Sequence, residues 1–264
     1  MSHDLQQQML AFAIKIAIAS GRIARKYFRT SVQVDNKSSE RFDPVTEADR
    51  EIELYLRRQI QKQYPDHGIT GEEQGVLEGG AYTWIIDPID GTRGFIAGTP
   101  MWGTLLGLLK AGRPVLGVMH QPFVRETFYA DRHSAWHKQG NAIQQLHARN
   151  TRTLTDAILC CTHPNLFKSA ADRSAFQRLE KACRYSRYGT DCYGYTLLAA
   201  GHVDLVVEAD LQAYDILPLI PLIESAGGVV TDWEGKPALQ GGKVVAAANR
   251  SLHKIALVHL KNKT

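Results

Sequence analysis

The sequence predicts an α/β protein built of layered helices and sheets. Three observations carry that expectation: apolar residues at helical spacing in the first third, short apolar or alternating runs punctuated by Gly and Pro in the middle, and strands alternating with helices in the second half. At 264 residues, with 44% apolar and 22% charged side chains, the chain can bury a core large enough to fold without disulfides or structural metals. One unit, 1–264, is expected, with an N-terminal half (about 1–145) and a C-terminal half (about 146–264) flanking the active site.

Leu5, Met9, Phe12, Ile16, Ile23 and Phe28 recur at helical spacing and predict a first amphipathic helix. Ile52, Leu56 and Ile60 do the same for a second, from about Thr46 to Gln63. The polar segment Asp35 to Phe42 between them reads as a mobile loop placed over the site. Strands follow at Trp84–Asp87, Gly103–Lys110, Val115–His120 and Thr127–Ala130. The second half predicts a strand at Ala157–Cys161, helices near Ala171–Cys183 and Cys192–Ala200, a strand at Val203–Glu208 and a helix from Asp215. The N-terminus, Met1 to Gln8, lacks the basic-then-apolar order of a secretory signal, and no apolar run is long enough to span a bilayer.

The chemistry concentrates in Trp84-Ile85-Ile86-Asp87-Pro88-Ile89-Asp90-Gly91-Thr92. A buried strand is expected to end at Asp87 and be stopped by Pro88, which has no N–H and a fixed φ, so that two carboxylates and the Ile89 carbonyl converge. Hard oxygen donors gathered in this way suit Mg²⁺. At Gly91 and Thr92, backbone N–H groups and a hydroxyl at the start of a turn or helix can hold a phosphate beside the metal. A lone Asp-Pro or Asp-Gly pair marks only a turn. The full run, joined by Gly71-Glu72-Glu73 upstream and Tyr214-Asp215 downstream, asks for more.

In order and approximate spacing these motifs resemble the inositol monophosphatase superfamily over nearly the whole chain. The resemblance implies the layered α-β-α-β-α sandwich of the inositol monophosphatase/fructose-1,6-bisphosphatase type. It implies that Glu72, Asp87 and the Ile89 carbonyl hold one Mg²⁺ and that Asp87, Asp90 and Asp215 hold a second, with two or three ions per site. Glu72 would face the attacking water, and Asp49 and Thr92 would orient it. Read alone, Thr46 and Asp49 form a capping box at the start of the second helix. Such a site would hydrolyse a phosphate monoester by direct water attack, and without metal its crowded carboxylates would leave the protein inactive and less stable.

Within the superfamily, Gly189-Thr190-Asp191, Glu208 and Tyr214 look most like the histidinol-phosphate phosphatases. Asp90, Gly91, Thr92, Gly189, Thr190, Asp191, Glu208 and Asp215 are therefore the expected substrate-binding residues. An acid at Asp191 suits a substrate that carries an ammonium beside its phosphate. Taken alone, Asp191 reads as the N-cap of the following helix, and Tyr193 and Tyr195 read as core. Inositol 1-phosphate or a nucleotide 3′-phosphate are the rival substrates, and a non-catalytic regulatory or RNA-associated protein is the rival of another class. A cytoplasmic homodimer acting on a small phosphorylated substrate, with no membrane and no nucleic-acid partner, is the expectation. Adjacent Cys160 and Cys161 and distant Cys183 and Cys192 show no metal-type spacing. The net charge of +4 is dispersed, and the ten histidines form no zinc motif.

Overall fold

The structure, a computed structural model, describes residues 3–31, 34–36 and 44–261. The N-terminal elements are α1 (His3–Tyr27), β1 (Val34–Asn36), β2 (Pro44–Thr46), α2 (Glu47–Gln63), β3 (Gly68–Gly71), β4 (Gly75–Leu77), β5 (Tyr82–Asp90), α3 (Thr92–Ala97), β6 (Gly103–Lys110), β7 (Arg113–Gln121), β8 (Glu126–Ala130), β9 (Ala135–Gln139) and β10 (Ala142–Gln145). After a connection come β11 (Ile158–Cys161), α4 (Ala170–Ala182), β12 (Tyr185–Tyr188), α5 (Asp191–Ala199), β13 (Leu205–Leu211), α6 (Ala213–Ile216), α7 (Ile220–Ser225), β14 (Val229–Asp232), β15 (Gly242–Ala247) and α8 (Arg250–Leu260). No helix among the described residues is long and apolar enough to cross a membrane.

Alternation along the strands decides the layering, because successive side chains face opposite sides of a sheet. The first sheet has eight strands in the order β10-β9-β8-β7-β6-β5-β3-β4. Trp84, Ile86, Leu106, Leu108, Leu116 and Val118 on one face pack against α1 and α2 through Met9, Ala13, Ile16, Ile52, Leu56 and Ile60. On the other face, Ile85, Leu105, Met119 and Phe128 meet α5 and α7, whose remaining apolar surface covers Cys160, Val206, Val244 and Ala246 of the second sheet. That sheet has five strands, β12-β11-β13-β15-β14. Its far face packs Leu159, Leu205, Val207 and Val245 against α4 and α8. The result is the predicted α-β-α-β-α sandwich.

Gly117 allows the close approach of the connection between α6 and α7 to the first sheet: a Cβ there would overlap the Pro218 carbonyl. One expectation needs correction. The strand carrying the aspartates does not stop at Asp87 but runs through Pro88 to Asp90, with a register irregularity between the two acids. Proline is tolerated because β3 pairs with β5 only as far as Ile86, so on that side no ladder bond awaits the missing N–H. The loop predicted between the first two helices falls mostly outside the described residues; its first two positions, Asp35 and Asn36, lie in β1, which pairs antiparallel with β2.

Candidate active site

The site grows from the parallel pairing of β3 and β5, which brings the end of both strands to one edge of the first sheet. Glu72 follows β3 immediately, and its N–H donates to the Ile86 carbonyl at 3.2 Å. Asp87 and Asp90 extend from β5, and Asp215 arrives on the short helix α6 across the interface between the sheets. Oxygens of Asp87, Asp90 and Asp215 lie within 4.8 Å of one another, and Glu72 lines the same cavity. Burial, then the charge of Glu72, pushes the Asp87 carboxyl well above its usual range; burial, then Asp215, does the same to Asp90. Such crowding is costly unless a cation compensates it.

The residues fit such a cation. Asp87 Oδ1 is buried with no hydrogen-bond partner among the described residues, and the donors are hard carboxylate oxygens. The Ile89 carbonyl, also in the cavity wall, accepts from the Thr92 hydroxyl at 3.0 Å and keeps a second lone pair. Gly91 caps α3 at φ 86°, and a Cβ on it would lie 2.7 Å from the Met101 carbonyl oxygen, so the turn that delivers Thr92 accepts no side chain there.

Asp49 occupies the start of α2 and is not part of the cavity wall. Its Oδ2 accepts from the Thr46 N–H at 2.8 Å and from the Thr46 hydroxyl at 2.6 Å, while Oδ1 is buried without a partner among the described residues. Burial pushes its carboxyl up to about 7.

Also lining the cavity, Asp191 opens α5 at φ 43°, a left-handed conformation uncommon for a residue with a Cβ. The sequence makes it an N-cap, but the capping acceptor comes from elsewhere: Asp90 Oδ1 accepts the Cys192 N–H at 2.8 Å. Asp191 is thereby left facing the cavity, where burial pushes its carboxyl up to about 6, partly offset by Thr162 and Arg93. Glu208 on β13 is fully buried; its Oε1 accepts from the N–H (2.7 Å) and hydroxyl (3.0 Å) of Thr162. Glu208 Oε2 has no partner among the described residues. The Thr162 hydroxyl also reaches Asp191 Oδ1 at 3.4 Å, so the two acids are neighbours.

Gly189, at φ 71°, and the buried Thr190 lead into Asp191 without lining the cavity. Tyr195, which the sequence assigns to the core, is buried there and also lines the cavity, with a hydroxyl lacking a partner among the described residues. Its spacing of four from Asp191 on one helix was the available signal. Arg93, next to Thr92, was equally visible in the sequence. Thr162, on a distant strand end, carried no signal at all.

The model of the inositol monophosphatase family matches residues 5–263. The chain is 40% identical over 258 residues to the chloroplastic bifunctional phosphatase IMPL2 of Arabidopsis thaliana, covering 93% of this chain and 73% of that protein. It is 31% identical to the histidinol-phosphatase of Chlorobaculum parvum, over 99% and 98% of the two chains. To the Nus factor SuhB of Pasteurella multocida it is 33% identical over 94% of each. Among solved structures, an inositol monophosphatase from Zymomonas mobilis superposes with a TM-score of 0.86 at 35% identity, covering 98% of this chain and 99% of that one.

Proposed function

The chain belongs to the inositol monophosphatase family, and from that premise we propose that it is a Mg²⁺-dependent phosphomonoesterase whose preferred substrate is histidinol phosphate. Glu72, Asp87, the Ile89 carbonyl, Asp90 and Asp215 would hold the metal, two or three ions per site. Bound Mg²⁺ supplies charge neutralisation at the phosphate and at the departing alkoxide, and acidifies water. The Thr92 hydroxyl, which donates to the Ile89 carbonyl, is left able to accept from the attacking water, with Asp49 at the start of α2, held by the Thr46 hydroxyl at the end of β2, supporting that arrangement. A carboxylate oxygen of Glu72 takes the proton. Gly91 and Thr92, at the start of α3 and in the cavity wall, would hold the phosphate beside the metal through their N–H groups.

The observation that carries the substrate is the second acidic pair, Asp191 and Glu208, which shares the Thr162 hydroxyl and lines the same cavity as the three aspartates. Inositol phosphate brings only hydroxyls to that pair. Histidinol phosphate brings an ammonium, whose charge compensates two buried carboxyls. The named relatives include both a histidinol-phosphatase and an inositol monophosphatase, and the acid at Asp191 supports the first reading. Gly189 and Thr190 act through the turn that presents Asp191 in its left-handed conformation. A homodimer in a reducing cytoplasm completes the proposal.

The test is phosphate release from histidinol phosphate, inositol 1-phosphate and a nucleotide 3′-phosphate, each with Mg²⁺ and with chelator. The expected result is a kcat/KM preference for histidinol phosphate that Asp191→Asn reduces by about tenfold or more, as loss of one charge-assisted hydrogen bond predicts, while inositol phosphate hydrolysis changes little. Equal rates on the first two substrates sink the assignment.

A further inference from the structure

Glu53 is a fully buried carboxylate on α2 and does not line the cavity. Its two oxygens are instead committed to the backbone that follows Glu72. Oε2 accepts the Glu73 N–H at 2.7 Å, and Oε1 accepts the Gln74 N–H at 3.0 Å. Arg57, one helical turn on, donates from Nε to Glu53 Oε1 at 2.7 Å, and its guanidinium also donates to the Gly75 carbonyl. The turn between β3 and β4 is therefore gripped at both polarities by one ion pair. Immediately before Glu72, Gly71 makes room for this grip: a Cβ there would overlap the Glu53 carboxylate. On its other side Glu72 is tied to β5 through the Ile86 carbonyl.

We propose that Glu53, locked by Arg57, is a positioning residue that sets the backbone turn presenting Glu72 to the metal and the attacking water. The proposal rests on the phosphatase reading above. A buried carboxylate with an arginine partner is costly to assemble and gains little in net stability. A carboxylate paired with two successive N–H groups, however, holds a tight turn in one conformation, and groups that orient a metal ligand typically govern metal affinity by about ten- to a hundredfold. Glu53→Gln keeps the shape but replaces one acceptor with a donor aimed at an N–H. Gly71→Ala leaves Glu53 in the chain and displaces its carboxylate.

The experiment titrates Mn²⁺ as the metal probe, following free ion by electron paramagnetic resonance, into wild type, Glu53→Gln and Gly71→Ala, with melting temperature in chelator and kcat at saturating Mg²⁺ measured alongside. The expected result is a metal Kd about tenfold or more weaker in both variants, with kcat at saturating metal largely restored. Melting temperatures that fall while Kd stays at the wild-type value would show a merely structural role and overturn the proposal. If Glu53→Gln does not fold, Gly71→Ala decides the question by the same readout. Wild-type protein that neither binds Mn²⁺ nor releases phosphate overturns the phosphatase reading as well, a result distinct from unshifted affinity in the variants.

Discussion

Asp90 shows how much a single side chain can be asked to do. One oxygen caps α5 through the Cys192 N–H while the carboxylate shares the three-acid cluster, so the helix that carries Asp191, Cys192 and Tyr195 is hung directly on a member of that cluster. His120 offers a test at the same scale. It is buried on β7, its Nδ1 lies 3.0 Å from the Glu126 carbonyl oxygen and 2.9 Å from the Thr127 hydroxyl, and burial holds its pKa down to about 4, with Arg25 adding to the effect. Because the folded value lies below the unfolded one, the neutral ring's contribution is complete above about 6.5 and is lost as pH falls from there towards 4. His120→Gln, which cannot titrate, is expected to flatten that segment of the stability curve by on the order of 3 kcal/mol in urea melts. An unchanged slope would assign the acid sensitivity elsewhere.

Among the elements, the helices divide by task. The α2 helix and the short α3 and α6 position chemistry, whereas α4 and α8 cover the far face of the second sheet and contribute no residue to the cavity. Phe176 of α4 is buried and stacks on Phe167 at 4.5 Å between ring centroids, with Trp233 completing the cluster. Phe176→Ala is expected to cost about 3–5 kcal/mol of stability. The same variant should retain near wild-type kcat and metal affinity well below its melting temperature. A large loss of kcat in a protein that remains folded would mean that the outer layer reaches the site.

For the whole molecule, the site exists only where the two sheets face one another. Glu72, Asp87 and Asp90 come from the first, Thr162 and Glu208 from the second, and Asp191 and Asp215 from helices between them. The acids are held together against their repulsion, and Asp49 (about 7), Asp87, Asp90 and Glu208 all have carboxyls raised chiefly by burial. An acid whose folded pKa is raised contributes stability that is complete below its unfolded value near 4 and is lost as pH rises through the folded value. Chelated protein is therefore expected to melt at lower temperature at pH 7 than at pH 5, and Mg²⁺ to raise the melting temperature most at the higher pH. A thermal melt at pH 7 that ignores added Mg²⁺ would contradict the metal-binding assignment.

By itself the sequence determined what is local or periodic. The spacing of Ile52, Leu56 and Ile60 gave α2, the buried apolar run from Trp84 gave the body of β5, and Asp87-Pro88-Ile89-Asp90-Gly91-Thr92 placed two metal-ready acids beside a phosphate-ready turn, because all of these depend on residues within a few positions of one another. The short strands β14 and β15 escaped that reading, since short buried runs carry little periodicity; α8, with Leu252, Ala256 and Leu260 at helical spacing behind an Asn249 cap, carried a signal that the reading passed over. Tertiary structure alone decided which polar atoms were already taken. It gave the cap of α5 to Asp90 and so left Asp191 facing the cavity, it joined Asp191 to Glu208 through Thr162, and it set Glu53 behind Glu72. The physical reason is that a carboxylate's role depends on which donors reach it, and donors from positions 20 to 100 residues away are brought to it only by the packing of the layers.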